Sequence, residues 1–141
     1  MAIQVDYMVL ADAATAADGK LYIHGAGWNR ITIVSFPVHY AFAIALQFRI
    51  PWSDTNDPCG IEFDIVDEDE RSMFPNEADR IGGGIVAGRP PDLMVGDEQV
   101  LSLAIRVNPE FQRPGRYTAI MRLDGVDMKR ADFRVVTPRP A

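Results

Sequence analysis

An all-β fold is predicted for this chain: an antiparallel β-sandwich of about seven to nine strands, immunoglobulin-like or related, in a single domain over residues 1–141. Three observations predict it. Apolar and polar residues alternate with period two in segment after segment. Clusters of Gly, Pro and Asp separate those segments at spacings of roughly 8–12 residues. The amphipathic stripes that an alternating α/β chain requires are absent.

The N-terminal IQVDYMVLA places Ile3, Val5, Tyr7 and Val9 on one side. ADAATAAD, residues 11–18, has no apolar stripe and is shorter than the roughly 12–15 residues an isolated helix needs. It reads as the end of strand one, running into a turn at Ala17-Asp18-Gly19-Lys20. DGKLYIHGAGWNR then supplies a hairpin turn, a strand, and a glycine bulge or sheet-switching corner that puts Trp28 against the core. In FAIALQFRI, Phe42, Ile44, Leu46, Phe48 and Ile50 share one face, while Ala43, Ala45, Gln47 and Arg49 share the other. IEFDI turns Ile61, Phe63 and Ile65 inward and Glu62 and Asp64 outward. IGGGIVAGR reads as a loop or a flexible edge strand, blunted by Pro90-Pro91. VLSLAIRV sets Leu101, Leu103, Ile105 and Val107 against Ser102, Ala104 and Arg106. YTAIMRL and ADFRVV form a final pair across DGVDMK, where Asp124-Gly125 tolerates positive φ.

The same residues exclude several functions. In Gly25-Ala26-Gly27 the third glycine of a dinucleotide fingerprint is replaced by Arg30, and a strand follows where a helix is required. No Gly-Lys-Ser/Thr occurs, so there is no P-loop. Two histidines, His24 and His39, and one cysteine, Cys59, are too few and too scattered for a zinc site, and Cys59 is expected in a loop. None of the serines lies in a nucleophile elbow. No catalytic, cofactor-binding or metal site is assigned. The best candidate for chemistry is the acidic run DIVDEDER, with Asp64, Asp67, Glu68, Asp69 and Glu70. These are hard oxygen donors entering a loop, although Ser72 stands where a calcium loop of the EF-hand type requires glycine. The loop WSDTNDPCG adds Asp54, Asn56 and Asp57.

A net charge of −6 argues against nucleic acid as a partner. The charge is uneven: residues 1–97 carry 15 acidic and 6 basic side chains, whereas 98–141 carry 5 and 8. Arg122, Arg130 and Arg134 either sit on a solvated face or form a basic strip that meets an acidic partner, including the acidic half of a second copy. No apolar run approaches the length of a membrane span, the N-terminus lacks a signal-peptide pattern, and a cytoplasmic location is expected.

VDYMVLADAATAADGKLYIHGAGWNRI, followed by RIPW, VDED, GRPPDL and PGRYTAIMRLDG, resembles an uncharacterised bacterial family of single-domain proteins of unknown function. DGKLYIHGAGW is the most specific part of that resemblance, and it implies no catalytic residues. The closing PGRYTAIMRLDG…DFRVV is similar to the last hairpin of many immunoglobulin-like domains.

The expected function is a non-enzymatic protein-interaction or self-assembly module. Its recognition surface lies on the charged strands and on the proline-rich GRPPDLM and TPRPA. The alternative is a small-ligand or calcium-binding β-domain using the carboxylates of the Asp67–Glu70 loop; a hydrolase with an Asp/His pair is a third class. The alanines at 43, 45 and 104 suit close packing, so either a symmetric homodimer or the loops over residues 67–97 are expected to cover that face.

Overall fold

The computed structural model describes residues 2–76 and 80–139. The molecule is all-β: eleven strands, eight of them five residues or longer, one short 3₁₀ turn at Trp52–Asp54, and no α-helix among the described residues. The four-stranded sheet joins β1 (Gln4–Ala17), β2 (Lys20–Ala26), β5 (Phe42–Pro51) and β8 (Glu98–Val107) in the order β2-β1-β5-β8. The five-stranded sheet joins β3 (Arg30–Thr32), β6 (Cys59–Val66), β7 (Ile81–Ile85), β10 (Gly115–Leu123) and β11 (Val126–Val136) in the order β3-β11-β10-β6-β7. A small ladder pairs β4 (Val38–His39) with β9 (Glu110–Phe111). Among the described residues the pairing is antiparallel, with one exception that the alternation does not announce: β3 runs parallel to β11.

The alternating residues explain why the two sheets face one another. Phe42, Ile44, Leu46, Phe48 and Ile50 of β5 are buried, as are Ile61, Phe63 and Ile65 of β6 and Tyr117, Ala119, Met121 and Leu123 of β10. Aromatic rings knit the layers together edge to face. Phe42 of one sheet lies 5.7 Å from Phe133 of the other, centroid to centroid, and Phe133 lies 6.1 Å from Phe111. Tyr117 stacks on Phe133, and its hydroxyl donates to the carbonyl of Arg113 at 2.6 Å, closing the corner between β9 and β10.

Three expectations are corrected. The register of β1 shifts between Val5 and Tyr7, so Met8 and Leu10 face the core opposite Leu46 and Ile44, and Tyr7 and Val9 face outward. A bulge inserts one residue and flips the phase of everything after it. Cys59 is not in a loop: it opens β6, buried, opposite Ile85. The final strand starts at Val126, because Asp124 and Gly125 alone make the turn, at φ 48° and 81°. Asp18 and Gly19 turn β1 into β2 in the same way, at φ 53° and 73°, a left-handed pair that suits the right-handed twist of a hairpin.

The question of what covers the alanine face also has a geometric answer. Ala43 and Ala45 are 4% and 0% exposed within the single chain, before any partner is added. Their short side chains sit in a row with Ala11 and Val9 on one side and Arg106 and Ala104 on the other. The sheet is also strongly curled, so that β2 and β8, its two edges, approach within 8 Å between Cα atoms. The loop after β6 lies over the other sheet instead.

Candidate functional site: an arginine row across three strands

The glycine element singled out by its pattern is a corner between sheets. The chain leaves the four-stranded sheet at Ala26 and enters the five-stranded one at Arg30. Gly25 and Gly27 take φ of 65° and 92°, which L side chains rarely adopt. A Cβ on Gly25 would also collide with the Asp12 carboxylate, whereas one on Gly27 would meet only open space. The turn delivers Trp28 onto Phe42 and Phe133, at 5.5 and 6.4 Å, both edge to face. This loop serves packing.

Three carboxylates of the acidic run, Asp64, Asp67 and Glu70, are held by the protein itself. Asp64, 3% exposed, accepts from the backbone N–H of Ile65 and the hydroxyl of Ser72 on one oxygen, and from Arg122 on the other. Asp67 accepts from the N–H groups of Asp69 and Arg71 and faces Arg113 at 3.4 Å. The Arg71 and Asp69 amides, with Arg113 and Arg71 as nearby charges, outweigh the opposing effect of burial and hold this carboxyl below its ordinary range. Glu70 pairs with Arg130 at 2.6 Å. These contacts tie the loop to the outer face of the five-stranded sheet, where Ile120 points outward opposite Asp64 yet is 1% exposed. Among the described residues, no group of three or more His, Cys, Asp or Glu side chains is arranged to hold a metal ion. His24 and His39 lie on strands β2 and β4, in different sheets. Burial pushes the Cys59 thiol up, with Asp124 and Asp54 adding to the effect.

The basic strip divides in two. Arg122 bonds Asp127 at 2.8 Å and Asp64 at 3.2 Å; burial alone would lower its pKa, but these carboxylates raise it above the ordinary arginine value. With Arg130 held by Glu70, two of the three expected arginines are neutralised in place. The third, Arg134, is not. It stands directly opposite Arg30 on β3 and opposite Arg116 on β10. Partners opposite one another point to the same face, and the neighbouring Ile31, Val135 and Tyr117 point into the core. Arg30, Arg134 and Arg116 therefore form a row on the solvent side, roughly 10 Å across three backbones. All three are exposed, as is Arg139 in the segment beyond β11, and among the described residues none of the four pairs with a carboxylate.

Two grooves flank the row, and Arg134 lines both. One, of about 520 Å³, is mixed in charge: Arg116 and Arg134 face Asp67, Glu68, Glu70 and Asp132 across it. The other, of about 460 Å³, is lined by Arg30, Arg134 and Arg139 with Thr32 and Thr137, and among the described residues has no Asp or Glu in its wall. Alternation marks Arg30 and Arg116 as outward-facing, but only the parallel pairing of β3 with β11 makes them neighbours. Sequence reasoning had no signal for that pairing. The proline-rich TPRPA contributes Thr137, Pro138 and Arg139 here; its last two residues lie outside the described ones.

A search of curated proteins finds no match to this chain. Among solved structures, it is similar to the Pseudomonas fluorescens alkylpurine DNA glycosylase AlkC bound to DNA containing an abasic site analog, at 10% sequence identity and a TM-score of 0.45. That similarity covers 95% of this chain and 30% of the glycosylase, so the chain spans less than a third of that protein's length. Residues 6–136 match the family model of DUF6941, a family of unknown function, and the chain belongs to that family.

Proposed function

We propose that this protein is a non-enzymatic interaction module of the cytoplasm that binds an acidic segment of a protein partner on the outer face of its five-stranded sheet. The observation that carries the proposal is the row Arg30–Arg134–Arg116. Like charges directly opposite on adjacent strands destabilise a sheet, and this sheet sets three in line while pairing Arg122 and Arg130 a few residues away. A partner's carboxylates turn that repulsion into attraction. Guanidinium groups suit the task because their fixed fork binds an oxyanion through two parallel hydrogen bonds. The acidic remainder of the surface, at −6 overall, favours a short acidic segment over a polynucleotide. The separated histidines and the buried, protonated Cys59 support a binding role over a catalytic one. The acidic segment belongs to a different protein, because a surface of net charge −6 repels copies of its own chain.

The test is binding of a glutamate-rich peptide at low ionic strength, followed by NMR or calorimetry. Arg134→Glu and Arg30→Glu should each weaken it by about tenfold or more, and added salt should weaken it further. Binding that is unchanged in both variants, with folding intact, would remove the proposal.

A further inference from the structure

The groove formed by Arg30, Arg134 and Arg139 differs from its neighbour in one respect: charge balance. The mixed groove brings two guanidinium groups together with four carboxylates. The groove beside it is lined by three arginines and the threonines at 32 and 137, and by no Asp or Glu among the described residues. Resting on the reading that this face binds an acidic partner, we infer that this second groove receives a phosphate monoester, a phosphoserine or phosphothreonine carried on the partner's acidic segment.

The charges select the ligand. A carboxylate brings one negative charge and would leave most of this cluster uncompensated. A phosphorylated side chain brings about −1.5 to −2 at neutral pH, with three strong acceptor oxygens. Three guanidinium forks and two hydroxyls are the donors such a group needs, and clusters of arginine are a recurring solution for reading phosphorylated acidic motifs. The geometry also connects the two grooves. Arg134 lines both, so a phosphate seated between Arg30 and Arg139 lies next to Arg134, and the row continues to Arg116 for an acidic residue of the same segment. Arg30 and Arg134 are fixed by strand pairing, and Ile33 extends that pairing by donating its backbone N–H to Val136 at 2.9 Å. The platform is rigid on two of its three sides.

The experiment compares one acidic peptide in two forms, with serine and with phosphoserine at its centre, by fluorescence anisotropy, with inorganic phosphate as competitor. The phosphorylated form should bind about tenfold tighter or better. Arg30→Gln and Arg139→Gln should each erase that preference. Thermal unfolding of both variants, which alter exposed side chains, checks that the fold is intact. Equal binding of the two forms overturns the phosphate site while leaving the acidic-partner reading in place. Failure of both forms to bind at low salt overturns both. Inorganic phosphate binding as tightly as the phosphopeptide would make this a site for the free anion and overturn the assignment to a partner segment.

Discussion

Gly27 shows how a single position can be fixed by angle alone. There is room for a side chain there, but at φ 92° the backbone is one that only glycine adopts cheaply. Gly27→Val should therefore destabilise the protein by roughly 1–3 kcal/mol through backbone strain, read as a lower midpoint in urea. A variant as stable as the parent would show that the corner tolerates another path. The sequence carried much at this scale. Two glycines flanking Ala26 before a tryptophan announced a turn with Trp28 pointing inward, and the structure has both. It did not carry the collision that Asp12 imposes on Gly25, because that contact depends on how β1 and β2 pair. Nor did it reveal that Cys59 is buried, since a Pro-Cys-Gly sequence looks like a loop until its partner strand is known.

At the scale of elements, the loop after β6 is the most informative. Its carboxylates were legible as a charged run, but their partners were not: Arg113, Arg122 and Arg130 come from distant strands and a distant turn. Asp67 holds the loop's first turn by accepting two backbone N–H bonds, and its pKa is lowered from an ordinary value of 3.8. A carboxyl depressed by folding stabilises the folded state fully above its unfolded pKa. That contribution is lost as the pH falls through the lower, folded value. The amide signals of Asp69 and Arg71 should accordingly shift in a single transition centred below pH 3.8, and Asp67→Asn should abolish the transition while keeping the turn. A midpoint at or above that value would mean that the two bonds are not formed in solution. Alternation was a reliable guide to most strands, failing in β1 only where an inserted residue reversed its phase.

For the whole molecule, the all-β class and the number of long strands were legible because period-two alternation is a local property. Sheet membership was not, since the order β3-β11-β10-β6-β7 depends on contacts between distant segments. Charge and burial also bear on self-association. The alanines of β5 are covered within the chain, and a surface of net charge −6 repels its own copies, so light scattering at micromolar concentration should give a 15.7 kDa monomer at moderate salt. A dimer that persists at high salt would instead place an apolar interface on the four-stranded sheet. The parallel seam between β3 and β11 has one more effect, on timing. Its two sides lie roughly a hundred residues apart, and closing so long a loop costs entropy before the contact returns anything. At a synthesis rate of about 5–20 residues per second, Arg30 waits for Arg134 for roughly 5–20 seconds after it is made. A nascent or truncated chain can carry Arg30 and Arg116 without the strand that stands between them, so the arginine row does not exist until the ribosome has passed Arg134.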